Sequence, residues 1–259
     1  MSKALLEVNN LNFHYGKEEI FKDLSFSIQN QEFISVVGPS GSGKTTLFRL
    51  LLGLEEPTKG DLLLRGQAIK LRDGNIGYVP QKDLLIPWRT IIDNVILPLE
   101  LKGIHKKEAY KKAAPLFVSF GLDGTETLFP SMLSGGMKQR VSFMRAYLTG
   151  ADILLLDEPF SALDAISRLA MQEWLLEQWK LLKKTIILIT HDLDEALLMS
   201  DRIFVTTLPP MTKLKEVQIS LSRPRTMEDV MNDSSLLSAK RELIQQFRKE
   251  GEIFDKRIK

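Results

Sequence analysis

The alternation of apolar and polar positions changes period along the chain. From Leu6 to Tyr15 it reads LEVNNLNFHY, with Leu11, Phe13 and Tyr15 two apart, the period of a strand with one buried face. The run EFISVVG at 32–38 is almost continuously apolar, as in a strand covered on both sides. It leads through a glycine-rich loop into TTLFRLLLGL, which has helical character, and strand, loop and helix in that order form a phosphate-binding unit. DILLLDEP at 152–159 and TIILITHD at 185–192 predict two more buried strands. In the helix predicted between them, Met171, Leu175, Trp179 and Leu182 recur at spacings of four, four and three, a stripe that faces a core.

The stretch from about 84 to 150 has no buried-strand pattern and carries helical segments such as HKKEAYKKAAPLF, so a helical lobe is expected there, with Pro115 ending or kinking its helix. Past residue 209, LPP, SRPR and the charge-mixed AKRELIQQFRKE read as a peripheral tail, dividing the chain into 1–208 and 209–259. A chain of 259 residues can bury one core with a smaller lobe beside it. Its 35 basic and 33 acidic residues leave a net charge of +2, which gives no electrostatic reason for a nucleic-acid partner. The absence of cysteine excludes disulfides and thiolate metal sites. MSKALLEVNN lacks the apolar core of a secretory signal, and no run approaches the roughly 18 apolar residues that cross a bilayer, so a membrane role is expected through a partner.

Two stretches carry chemistry. GPSGSGKT fits G-x-x-x-x-G-K-[ST] over Gly38, Pro39, Ser40, Gly41, Ser42, Gly43, Lys44 and Thr45. Glycines let successive N–H groups turn inward as an anion nest, and the helix that starts there adds the positive end of its dipole. Lys44 is expected to reach the β- and γ-phosphates, the Thr45 hydroxyl to hold Mg²⁺, and Thr46 to donate to the α-phosphate. ILLLDEP ends its strand on two carboxylates. Asp157 is the natural metal partner, and Glu158 is placed to orient the attacking water or accept its proton.

A second Ser-Gly-Gly turn, LSGGMKQR at 133–140, narrows the reading. With the two motifs above it resembles the signature of the ATP-binding cassette (ABC) ATPases, and the resemblance runs over roughly residues 5–205. It implies an α/β fold: a P-loop NTPase core with a parallel sheet, N-terminal antiparallel strands and an inserted helical lobe. It implies ATP and Mg²⁺ as cofactors. By the same resemblance Tyr15 stacks on adenine, Gln81 in YVPQKD touches Mg²⁺ and couples to transport, and His191 is the switch histidine after its strand. Asp164 in SALD makes a contact across a dimer. Two such chains pair head to tail, so that Ser134, Gly135 and Gly136 of one copy close over the γ-phosphate held by the other. Met137 stands where glutamine is commoner in the family, and a thioether cannot donate to the ribose.

The stretch KDLLIPWRTIIDNVILPLE at 82–100, with Leu84, Leu85, Ile86 and Trp88, resembles the edge of the groove that receives a permease helix in the importer branch. Together with GGMKQR and DEPFSALDA it is similar to the ATPases of nitrate, sulfonate, taurine and thiamine-pyrimidine-precursor importers. The implied partners are a second copy of the chain, membrane permease subunits and, indirectly, a solute-binding protein, with no nucleic acid. The implied location is peripheral, on the cytoplasmic face of the membrane. Two other readings stand beside this one: a soluble ABC ATPase acting on ribosomes or DNA, and a nucleotide-gated module without hydrolysis. A single cassette without sustained heptads counts against the first, and the presence of both Glu158 and His191 against the second.

Overall fold

The computed structural model of the chain describes residues 4–70 and 74–258, and side chains as far as residue 248. The outermost residues of the expected divisions 1–208 and 209–259 therefore lie outside the described residues. The chain separates into two compact units, Met1–Asp73 with Thr185–Lys259, and Gly74–Lys184.

The first unit opens with β1 (Leu6–Tyr15) and β2 (Glu18–Ile28), an antiparallel pair whose register sets Leu11 against Leu24 and Phe13 against Phe21. All four side chains are buried, which is what the two-residue period predicts. β3 (Phe33–Val37) is buried at every position and runs into α1 (Lys44–Leu51). β4 (Lys59–Leu64) and β5 (Gln67–Ala68) complete an antiparallel sheet ordered β2-β1-β4-β5.

The second unit begins with β6 (Ile76–Val79), followed by α2 (Ile91–Val95), α3 (Leu97–Leu101), α4 (Lys106–Ser119) and α5 (Gly135–Tyr147). Then come β7 (Ile153–Asp157), parallel to β6, and α6 (Ala165–Leu182). α4 runs four residues past Pro115, so the proline does not end it. Pro115 and Lys111, whose carbonyl loses its intrahelical donor, are both exposed, so that carbonyl is open to solvent. On α6 the buried face is Met171, Trp174, Leu175 and Gln178, whereas Trp179 and Leu182 are only half-buried. The predicted stripe thus holds at Met171 and Leu175 and loosens at its C-terminal end.

The chain returns to the first unit with β8 (Thr185–Ile189), α7 (Leu193–Met199), β9 (Arg202–Val205), β10 (Lys215–Gln218), α8 (Met227–Asn232) and α9 (Ser234–Ile258). β3 lies between β8 and β9, parallel to both, and β10 adds to β9 antiparallel. Ile34 and Ile187, paired across β3 and β8, are sealed from solvent, and burial of such side chains contributes about 1.5–3 kcal/mol each. The segment after 209 is more integrated than a peripheral tail. Met211 is buried and bridges to Phe21, Val217 sits in the sheet edge, and Leu236 and Leu243 are enclosed.

Candidate active site

In the first unit the loop from Gly38 to Gly43 links the buried strand β3 to α1. At Gly38 a Cβ would lie 1.8 Å from the Thr206 hydroxyl, so no side chain fits. Gly43 caps α1 with φ 92°, a left-handed conformation natural to glycine, and a Cβ there would press on Ile20 at 2.9 Å. Thr206 is fully buried and forms the floor of the loop: its hydroxyl donates to the Val37 carbonyl at 3.2 Å and shares a 2.7 Å bond with the Ser42 hydroxyl. Sequence reading missed it, because nothing local connects the end of β9 to a loop more than 160 positions earlier.

Lys44 Nζ donates to the carbonyls of Gly38 and Pro39, each at 2.8 Å, and this holds its charge over the loop. Ser40 and Gly41 form the exposed crown, Thr45 is exposed and Thr46 half-buried on the first turn of α1. No acidic side chain occupies that turn, so the helix dipole faces an anion without competition. Tyr15, at the end of β1, is 43% exposed and stands edge-on to Phe13 with ring centroids 4.8 Å apart. Phe13 fixes the ring from within while one surface stays open. His191 is exposed directly after β8, and its neighbours are tightly held: Asp192 caps α7 by accepting from the amides of Asp194 and Glu195.

In the second unit Asp157 ends β7, and Tyr78 on β6 donates to its Oδ2 at 3.1 Å. Burial pushes the Tyr78 phenol well above its ordinary pKa and the Asp157 charge adds to the shift, so Tyr78 stays a donor and Asp157 an acceptor. Glu158 has φ 45°, a strained value for a non-glycine residue. Its carbonyl accepts from the Ser161 hydroxyl at 2.9 Å, and its Oε2 accepts from Gln81 Nε2 at 3.1 Å. Gln81 also donates to the Ser161 hydroxyl at 3.3 Å, so the glutamine and the carboxylate come together as one polar cluster. Within this unit the Asp157 carboxylate and the Gln81 amide, whose nitrogen is committed to donation and leaves its oxygen, are donors of the hard-oxygen kind that Mg²⁺ takes.

Ser134 caps α5 by accepting from the Met137 amide at 3.3 Å, and Asp164 caps α6 by accepting from the amides of Ile166 and Ser167. Hydrogen bonds from Ser167 hold the Asp164 carboxyl below its ordinary pKa. Both caps open on a concavity of about 460 Å³ lined by Ser134, Gly135, Gly136, Met137, Arg140 and Asp164, among others. Exposed Gly135 and half-buried Gly136 bring backbone amides to its wall.

The loop after Gln81 is pinned by two residues that sequence reading passed over. Arg145 on α5 donates to the carbonyls of Asp83 and Leu84, each at 2.8 Å. Asn94 is fully buried. It donates to the carbonyls of Ile86, Arg89 and Thr90 and accepts from the Ile86 amide at 2.6 Å. On that frame Leu84 is 63% and Trp88 79% exposed, while Leu85 is 8% exposed and Ile86 half-buried. Leu85 therefore belongs to the core and not to an exposed groove: adjacent residues on a pinned loop point to opposite sides.

The family model described as ABC transporter matches residues 21–161. The formylaminopyrimidine import ATP-binding protein of Halalkalibacterium halodurans is 47% identical over 229 residues, covering 88% of this chain and 90% of that protein. An aliphatic sulfonates import ATP-binding protein of Bacillus cereus is 34% identical over 246 residues, covering 93% and 95%. Among solved structures, a dimeric ATP-binding cassette in a post-hydrolysis state, bound to ADP and Pi, superposes with a TM-score of 0.68 at 29% identity, covering 84% of this chain and 100% of that one. A component of the cbiONQ transporter complex of Clostridium perfringens reaches a TM-score of 0.76 at 23% identity over 98% of this chain and 100% of that one, a likeness of fold alone. By its loop, its strand-end carboxylates, its signature turn and its relatives, the chain belongs to the ABC transporter family, as one of its ATP-binding, ATP-hydrolysing subunits.

Proposed function

We propose that this ATPase powers uptake of a small solute, working as a head-to-tail pair of cassettes seated on membrane permease subunits at the cytoplasmic face. The observation that carries the importer reading is the exposed Trp88, held on a loop that Asn94 and Arg145 lock in place. A large apolar side chain kept rigid and in water is suited to receive an amphipathic helix. Leu84 beside it, and Leu101 and Met132 elsewhere in the same unit, are exposed as well. Among the described residues no helix is long and apolar enough to cross a membrane.

The catalytic roles follow from the chemistry of each group. Lys44 and the amides of the 38–43 loop bind the phosphates, Tyr15 stacks on the adenine, and Thr45, Asp157 and Gln81 hold Mg²⁺. The metal, when bound, neutralises phosphate charge. Glu158 orients water for in-line attack on the γ-phosphate, and His191 stabilises the charge that develops there. Ser134 and Gly136 are offered to a phosphate held by the second copy, and Asp164 lies beside them at the same concavity. Closure of the pair then moves the Gln81 loop together with Trp88. The names of the relatives favour a formylaminopyrimidine as solute, with an aliphatic sulfonate second.

The test is reconstitution with candidate permease subunits and a solute-binding protein from the same source. ATP hydrolysis should rise when the binding protein carries a formylaminopyrimidine and stay basal with a sulfonate. A rate indifferent to permease and loaded binding protein alike would overturn the importer reading.

A further inference from the structure

The helix that follows His191 is held at both ends by the C-terminal segment. α7 is buried from Glu195 to Met199, and a helix enclosed on so many sides needs cover beyond its sheet face. β3 contacts α7, as do α8 and α9. Val230, Leu236 and Leu243 of that segment are almost fully enclosed. At the C-terminal end, Arg225 Nη1 donates to the carbonyls of Leu197 at 2.9 Å and Ser200 at 2.6 Å, and Arg223 Nη1 to that of Met199 at 2.8 Å. Cations on the last carbonyls of a helix satisfy its orphan acceptors and complement its dipole.

At the other end, Lys240 Nζ meets Asp194 Oδ1 at 2.5 Å. The Asp194 and Glu195 amides donate to Asp192 Oδ1 at 2.8 and 3.3 Å. The Asp192 amide donates to the Thr190 hydroxyl at 3.0 Å, and that hydroxyl donates to the buried Glu195 carboxylate at 2.5 Å. His191 lies inside this knot, between Thr190 and Asp192.

We infer that the C-terminal segment from Leu221 through Lys240 braces the switch histidine, with Lys240, Arg223 and Arg225 as positioning residues that fix, through α7, the loop presenting His191. The inference rests on the role given to His191 above. The geometry gives the brace a kinetic consequence. Lys240 and Asp194 are each about one-third exposed, so their pair adds little to global stability. Its loss instead frees the first turn of α7, and a small misplacement of a catalytic group is costly in rate. Binding of ATP, which depends on the 38–43 loop and Tyr15, is untouched.

The experiment uses the full chain and four variants: Lys240→Glu, which reverses the charge facing Asp194, Lys240→Met, which keeps the apolar stem should the first not fold, Lys240→Arg, and His191→Ala. Lys240→Glu should lower kcat about fivefold to tenfold. KM for ATP should stay within about twofold, and the thermal midpoint within about 2 °C, as for a surface pair. Amide exchange over residues 190–196 should quicken while β3 is unchanged, and Lys240→Arg should restore kcat. A kcat within twofold of wild type, or a parallel fall of kcat, ATP affinity and midpoint, overturns the brace. If His191→Ala turns over normally, the role of His191 fails and the brace fails with it. If His191→Ala is inactive while Lys240→Glu hydrolyses at the wild-type rate, the brace alone fails.

Discussion

Glu158 holds φ 45° at the end of a buried strand, a backbone position that costs a non-glycine residue on the order of 1–3 kcal/mol. Hydrogen bonds from Ser161 to its carbonyl and from Gln81 to its carboxylate hold it there. Glu158→Gln keeps the shape while removing the base, so turnover should drop about 10²–10⁴-fold with ATP affinity unchanged. Single-turnover hydrolysis and nucleotide titration on one preparation check this, and activity within a few fold of wild type would refute the role. Tyr15→Ala should weaken ATP binding by about 1–3 kcal/mol, with Tyr15→Phe close to neutral. Equal affinity for the alanine variant would mean that the ring merely packs on Phe13. Both residues could be found from sequence because each sits in a local pattern: an alternating strand, and an apolar run ending in two acids. Thr206, Asn94 and Arg145 could not. Thr206 and Arg145 act on backbone remote in sequence, Asn94 on carbonyls of the turn just before it, and no periodicity marks a side chain whose partner is a backbone carbonyl.

The strands were the most readable elements, since FISVV, ILLLD and TIILI are apolar at four positions of five and each became a strand buried along nearly its whole length. Helical faces were less so. On α6, Trp179 looked like core and is half-buried, while Trp174, absent from the expected stripe, packs edge-on against Phe120 and Phe143. Helix-to-helix contacts depend on partners that a one-dimensional pattern does not contain. The α2–α4 pairing is such a case, joined by Asp93, which accepts from Tyr110 and pairs with Lys106 at 2.9 Å. Burial works against the Asp93 carboxylate, but hydrogen bonds from Tyr110 and Lys106 outweigh it and leave its pKa below the ordinary value. A depressed folded-state pKa stabilises above the unfolded value and is lost as pH falls through the folded one. Asp93→Asn should therefore cost about 1–3 kcal/mol near pH 7. The gap to wild type should narrow as pH drops below about 4. Urea unfolding across that range measures it, and a gap independent of pH would show that the charge is not what joins the helices.

In the whole molecule the proposed function asks two kinds of surface to do different work: one to meet nucleotide, the other to meet the permease. Trp88 and Leu84 lie on a loop whose position is set by Asn94 and Arg145, and Gln81 begins that same loop. In the proposed cycle, movement of Gln81 on closure would pass to Trp88 through this short, pinned stretch of chain. Damage to the exposed rim should accordingly separate hydrolysis from transport. Trp88→Ala or Leu84→Glu should leave basal ATP hydrolysis within about threefold and the thermal midpoint within about 3 °C, as surface substitutions do. The same variants should fail to co-purify with the permease and fail to support uptake in reconstituted vesicles. Leu85→Glu makes the contrast. Leu85 is buried, so a charge there should lower midpoint, hydrolysis and permease binding together. Trp88→Ala behaving like Leu85→Glu would mean that the ring packs within the fold. Trp88→Ala that still binds the permease and supports uptake would mean that the permease docks elsewhere. Selective loss of docking, with hydrolysis intact, is the outcome that a rigidly held, water-exposed tryptophan predicts.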